Sequence, residues 1–202
     1  MIKIYHVAGT RGLRAIWTCE ELSIPYEIEV VNFDPQYRAS PEWRSINPVG
    51  KVPAMSDGDL VMFESGAMVQ YLVDRYGNGK LQPEIGTAEH ALYLQWSWFA
   101  EATFSRPLGE VVNHGREFPG DRQIPEVVEE MKNRASLSLD AVADEVADKE
   151  YLIANRFSAA DIMMGYTIML ADRLLGKPLP KKILPYWERL SERDGYQVAQ
   201  KA

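Results

Sequence analysis

With 202 residues, 46% of them hydrophobic and 25% charged, the chain has the makeup of a folded globular protein, long enough for one large domain or two small ones. A formal net charge of −7 offers no electrostatic footprint for nucleic acid or for an anionic membrane. No apolar run approaches the roughly 18 residues of a membrane span, and the first residues lack the apolar core of a signal peptide, so a cytoplasmic location is expected.

In chain order, Ile2 and Ile4 mark a short strand around Tyr5 that ends at the turn-rich Val7-Ala8-Gly9-Thr10. A helix follows, with Ala15, Ile16, Cys19 and Leu22 in one stripe, and Ser23-Ile24-Pro25 stops it. Cys19 is the only cysteine, which excludes an internal disulfide, and with no His/Cys cluster at zinc spacing no metal is expected. It falls about two turns inside the helix and reads as a core residue rather than a redox thiol. Tyr26, Ile28 and Val30 then alternate with Glu27 and Glu29 as a second strand. Pro35 and Pro41 break the next stretch.

The run Gly50-Lys51-Val52-Pro53-Ala54-Met55 is strand-like but holds a proline. Proline has no N–H and is excluded from central strands, so Pro53 belongs where Val52 turns its backbone outward, leaving polar groups that a small ligand can take up. A turn at Asp57-Gly58 leads to a strand over Leu60-Val61-Met62-Phe63. Ser65 then stands at the N-cap position of a helix from Gly66 to about Tyr76, where exposed N–H groups and the helix dipole stabilise an anion. The pattern is βαβ followed by ββα.

After a linker rich in Gly and Pro, strand signals nearly vanish. Leu92, Tyr93, Trp96, Phe99 and Ala100 keep helical spacing in one long segment, and a second helix is expected from about Pro125 to Ala147. Ser158-Ala159-Ala160-Asp161 has the form of a capping box and opens a further apolar helix.

This order of elements, with Asn47-Pro48-Val49-Gly50-Lys51-Val52-Pro53-Ala54, Glu64-Ser65, Glu20-Glu21-Leu22 with Ile24-Pro25-Tyr26-Glu27, and Phe157-Ser158-Ala159-Ala160-Asp161-Ile162, resembles the cytosolic glutathione S-transferase superfamily across essentially the whole chain. Thr10 and Arg14 fall where the theta, delta and phi classes carry a catalytic serine and a following arginine, so the closest flavour is that of bacterial serine- or threonine-type members. The resemblance implies a thioredoxin-like α/β domain over residues 1–78, a linker over 79–87 and an all-α domain over 88–202. It implies glutathione as co-substrate, with Val52 pairing through its backbone, a cis bond to Pro53, Lys51 at the ligand's main chain or glycyl end, and Glu64 and Ser65 at the γ-glutamyl end. A homodimer is also implied.

The thiolate is the nucleophile of such a reaction, and a free thiol has a pKa of roughly 8.5. Thr10 is the leading hydroxyl donor to it; the resemblance leaves Tyr5 as a rival and Arg11 as a charge either turned to the thiolate or solvated. Arg14 reads either as internally paired or as a surface arginine, and Arg38 and Trp43 match the glycyl-end segment only loosely. The electrophile is expected between the domains, against Val7 to Gly9 and a helix bearing Trp96, Phe99, Thr103, Phe104 and Arg106, although such a stripe equally serves packing. His114 is a further possible polar contact. The leading function is addition of glutathione to small hydrophobic electrophiles. Glutathione-dependent disulfide or peroxide reduction is an alternative, and a non-catalytic glutathione-binding interaction module is another.

Overall fold

Strands β1 (Ile2–His6), β2 (Tyr26–Val30), β3 (Ala54–Asp57) and β4 (Leu60–Phe63) form one mixed sheet in the order β2-β1-β3-β4, in a computed structural model that describes all of residues 1–202. Strand β1 runs parallel to β2 and antiparallel to β3, and β3 runs antiparallel to β4. The first pair needs a crossover, which is supplied by α1 (Gly12–Leu22). By contacts the chain divides into two units, Met1–Gln82 with Ser191–Ala202, and Pro83–Leu190.

In the first unit, alternation along β1 turns Ile2, Ile4 and His6 to a fully buried face, and α1 and α4 (Ser65–Tyr76) pack together in that layer. The other face carries a smaller cluster of Val31, Trp43 and Ala54, with Tyr5, Val7 and Val52 against it. Strand β2 departs from expectation. Its apolar positions Ile28 and Val30 are exposed, because β2 is the sheet edge and is paired on one side only. Its glutamates, one of them bonded by Lys3 at 3.1 Å, give that edge the charge that discourages further strand addition.

Pro35 and Pro41 start helices rather than breaking structure. Each sits in the first turn of a short helix, α2 (Pro35–Ala39) or α3 (Pro41–Ile46), whose N-cap Asp34 or Ser40 accepts a backbone N–H. Proline suits that position because its missing N–H has no helical partner there anyway. At the other end of the sheet, the Asp57 carboxylate accepts from the Tyr71 and Tyr76 hydroxyls, joining the β3–β4 turn to α4.

In the second unit, the long segment expected after residue 88 is helical but not uniform. It comprises α5 (Ala88–Trp98), a π-helical stretch Phe99–Phe104 and α6 (Ser105–Glu117). The irregularity lies just ahead of Pro107, which has no N–H for the Thr103 carbonyl. Within it the Ser105 N–H bonds Ala100 O, five residues back, and the buried Thr167 hydroxyl donates to the same oxygen at 3.2 Å.

Two long helices complete this unit, α7 (Pro125–Glu145) and α8 (Ala159–Leu174), and α8 is buried along most of its length. The capping box at its start is present as read. Fully buried Asp161 accepts from the Ser158 N–H at 2.8 Å, the Ser158 hydroxyl at 3.0 Å, the Leu152 N–H at 3.0 Å and the Tyr186 hydroxyl at 2.8 Å.

Helix α9 (Leu184–Ser191) precedes α10 (Asp194–Lys201). The sequence reading assigns 88–202 to one helical domain, but α10 packs on α1 and belongs by contact to the first unit. Tyr196 meets Trp17 edge to face at a centroid distance of 5.0 Å. Gly195 permits the approach, since a Cβ there would lie 2.9 Å from the Trp17 ring.

Candidate functional site

Three chain segments meet at one end of the sheet. Tyr5 pairs with Ala54 and Ala54 with Phe63, so one step beyond the ladder lie the exit of β1, Pro53 at the entry of β3, and Glu64 at the exit of β4. Loop backbone at a sheet end carries groups that the ladder does not consume.

The loop before β3 is held in shape from within. Buried Asn47 donates its Nδ2 to Lys51 O at 2.8 Å, accepts the Val49 N–H at 3.2 Å through its side chain and the Gly50 N–H at 2.9 Å through its carbonyl. Gly50 has φ +65°, and a Cβ there would lie 2.4 Å from Arg38 O. Glycine is required twice over, by torsion and by space. The Val52–Pro53 bond is cis, and the ladder begins only at Ala54, so Val52 stands outside it with a half-buried side chain while Lys51 is exposed.

Ser65 is not the N-cap of its helix, which corrects the sequence reading. Glu64 occupies that position at φ 75°, ψ 104°, a conformation that costs a non-glycine residue about 1 to 3 kcal/mol, and it makes no capping bond. Ser65 is the first helical residue and is 3% exposed. No side chain caps α4, and no acidic residue lies in its first turn. The helix dipole there is open to an anion. Arg14 resolves the alternatives left by the sequence: it is fully buried in α1, and its Nη1 donates to Ser65 Oγ at 3.1 Å. No local pattern signals this contact, because the partners are 51 positions apart in the chain.

Thr10 closes the loop after β1. Its N–H and its hydroxyl both go to Val7 O, at 3.1 and 2.7 Å. Its own carbonyl accepts the Leu13 N–H at 3.1 Å, placing it immediately ahead of α1. Arg11 is the N-cap of that helix, again without a side-chain cap or an acidic first turn. Tyr5 points elsewhere, edge-on to Trp43 at 5.9 Å within the small apolar cluster. Trp43 is buried there, and Arg38 lies over the Phe33 ring at 4.6 Å. Burial pushes the Cys19 thiol up to about 12, so no thiolate forms at that position near neutrality.

His6 lies under the same loop, 1% exposed. A Cβ on Gly12 would fall 2.2 Å from its Nδ1, which is why α1 starts with glycine. Burial lowers its pKa. The neighbouring Ala202 main chain opposes the effect only in part, and neither ring nitrogen meets a partner at full hydrogen-bond geometry.

The expected electrophile residues separate in the second unit. Thr103 and Arg106 line a cavity of about 930 Å³ between α6 and α7, with His114, Phe118, Met131 and Arg134. Phe104 has no exposed surface and Trp96 is 8% exposed, edge-on to Phe99 at 5.3 Å. Phe104 is therefore a core residue, on the same helical face as buried Tyr93, Trp96 and Ala100, which corrects its place in the electrophile set. His114 lines the cavity, and its Nε2 accepts the Ile124 N–H at 2.9 Å.

The first unit is a thioredoxin-like sheet domain with an acidic residue and a serine at an uncapped helix start, and a helical part follows it. The family described as "Glutathione S-transferase, N-terminal domain" matches residues 1–74. Glutathione S-transferase 3 of Schizosaccharomyces pombe is 31% identical, with 98% of this chain and 86% of the relative covered. The chain belongs to the glutathione S-transferase family. Among solved structures, a Phanerochaete chrysosporium glutathione transferase with oxidised glutathione superposes at TM-score 0.87 and 25% identity, covering 99% of this chain and 93% of that one. The theta class enzyme of Xanthomonas axonopodis with glutathione bound gives TM-score 0.83 and 26% identity, over 100% and 97%.

Proposed function

We propose that the protein is a glutathione transferase that adds the glutathione thiolate to small hydrophobic electrophiles. The observation that carries this reading is the convergence at one sheet end of Val52 outside the ladder, the uncapped α4 start with Glu64 and Ser65, and the Thr10 loop. Val52 and Pro53 hold the cysteinyl part, Glu64 the ammonium, Ser65 the γ-glutamyl carboxylate, and Lys51 the glycyl end. Thr103 and Arg106 contribute to electrophile binding. The protein works in the cytosol as a homodimer; no helix is long and apolar enough to cross a membrane.

The proposed activation is a hydrogen bond from Thr10 to the thiolate. Because the hydroxyl has one proton, which it donates to Val7 O, it must swing away to serve the sulfur. A bond to a charged acceptor contributes about 1.5 to 3 kcal/mol and the bond given up about 0.5 to 1.5. With about 0.3 to 1 kcal/mol from the start of α1, the net is roughly 2 kcal/mol, or between one and two pKa units below the free thiol. The finer assignment, to bacterial serine- or threonine-type members akin to the theta, delta and phi classes, rests on Thr10 and Arg14.

The test is titration with glutathione by calorimetry, followed by conjugation of chlorodinitrobenzene as a function of pH for the wild type and Thr10→Ala. The variant is expected to move the turnover profile and the bound thiol pKa upward; unchanged profiles sink the role of Thr10. A second reading, exchange of the glutathione thiolate with a disulfide, is favoured by the oxidised glutathione in the Phanerochaete relative, and buried Cys19 leaves glutathione as the only thiolate. Faster turnover of a mixed disulfide than of any electrophile in a broad panel would select it.

A further inference from the structure

We infer that Arg14 is a positioning residue that commits the Ser65 hydroxyl to donating toward the ligand carboxylate. The inference rests on the glutathione reading above and goes beyond it. A serine hydroxyl both donates and accepts, and at a helix start it has two competing uses, one of which is to donate back to protein carbonyl oxygen. A guanidinium has donors only. With Arg14 Nη1 at 3.1 Å, Ser65 Oγ must accept, and its proton is directed to a third group. The hydroxyl is thus barred from accepting elsewhere through that lone pair, and as Ser65 Oγ donates to no protein oxygen, its proton is left for a ligand acceptor.

Burial makes the selection firm. Arg14 has no exposed surface and Ser65 is 3% exposed, so water does not compete for the serine lone pair. Arg14 sits on α1, the helix that follows the Thr10 loop, and Ser65 opens α4. One bond thus links the element carrying the proposed thiol donor to the element carrying the proposed carboxylate donor. Its charge also stands behind the α4 start, where it adds to the dipole in attracting an anion. Lysine is no equivalent replacement, because a flexible ammonium does not hold the planar, fixed donor direction of the guanidinium.

The test pairs a protein variant with a ligand variant. Calorimetry of wild type and Arg14→Met is run with glutathione and with γ-aminobutyryl-cysteinylglycine, which lacks only the γ-glutamyl carboxylate. Wild type should prefer glutathione by about 10- to 100-fold, the range for a bond to a charged group, and Arg14→Met should bind both nearly alike. Kinetically, KM for glutathione should rise while kcat at saturation holds. Should Arg14→Met not fold, Ser65→Ala with Arg14 intact must abolish the same preference. A preference kept in Arg14→Met, with both affinities falling together, overturns the inference alone; one kept in Ser65→Ala overturns it together with the assignment of Ser65 to the carboxylate. Absence of glutathione binding by the wild type overturns the functional reading with it.

Discussion

Arg193 grips Glu21 across 172 residues, its Nε donating to Oε1 at 2.7 Å and its Nη2 to Oε2 at 2.6 Å. The Trp17 indole N–H also donates to Oε1 at 2.8 Å, so one carboxylate fastens both its own helix and the C-terminal one. The pair is bidentate and mostly shielded, with side chains 28% and 11% exposed, which sets it apart from the exposed pairs that contribute little. Glu21→Ala or Arg193→Ala should cost about 2 kcal/mol, read from the urea midpoint. Hydrogen exchange should rise first over residues 194–201, and a double-mutant cycle should give a coupling well above that of Arg134 with Glu130, an exposed i,i+4 pair.

Asp161 is the most demanding acceptor in the second unit, since removing it strands donors from Ser158, Leu152 and Tyr186 together. Asp161→Ala should destabilise by at least about 3 kcal/mol, as expected when several buried donors lose their acceptor together at about 1 to 3 kcal/mol each. Loss of soluble protein or a collapsed denaturation midpoint would register it. A midpoint within the scatter of surface substitutions would show that the bonds are not made in solution.

His6 predicts a pH dependence. Its folded pKa is lowered by burial, so the unfolded chain binds the proton more readily. Its contribution is therefore fully present above the unfolded value near 6.5, and declines as pH falls from there to the folded value, with a slope of at most about 1.4 kcal/mol per pH unit. Stability of the wild type minus that of His6→Leu, followed by urea unfolding, should fall across that window. A difference that stays flat would place the imidazole in contact with water.

Thr10→Ser should keep activity. It retains the hydroxyl and removes the methyl that restricts χ1, easing the swing from Val7 O to sulfur. The bound thiol pKa, followed by thiolate absorbance, is expected at or below that of the wild type. A higher value would mean that the methyl holds the hydroxyl where it is needed.

Much of this was legible in the sequence because it depends on neighbours along the chain. The βαβ and ββα order, the capping box at Ser158 and Asp161, and the place of Pro53 ahead of a strand all follow from local pattern. Three features did not. The start of α4 slipped by one residue because Glu64 takes a conformation that propensity disfavours. The π-helical stretch before Pro107 interrupts a segment whose spacing reads as regular helix, and spacing alone did not separate the buried Phe104 from a ligand-facing aromatic. The buried contacts of Arg14 with Ser65 and of Arg193 with Glu21 join distant positions, and charge patterning in one chain does not reveal such pairs.

Glu64 carries a consequence for how this chain responds to selection. Its backbone lies where only glycine is comfortable, so Glu64→Gly should raise thermal stability by about 1 kcal/mol, the strain relieved less the extra entropy of glycine. By the proposed reading, the same change removes the carboxylate that meets the ligand ammonium. A library randomised at this codon and screened only for survival of heat would enrich glycine, and its winners would be hardier proteins with a weakened hold on the tripeptide.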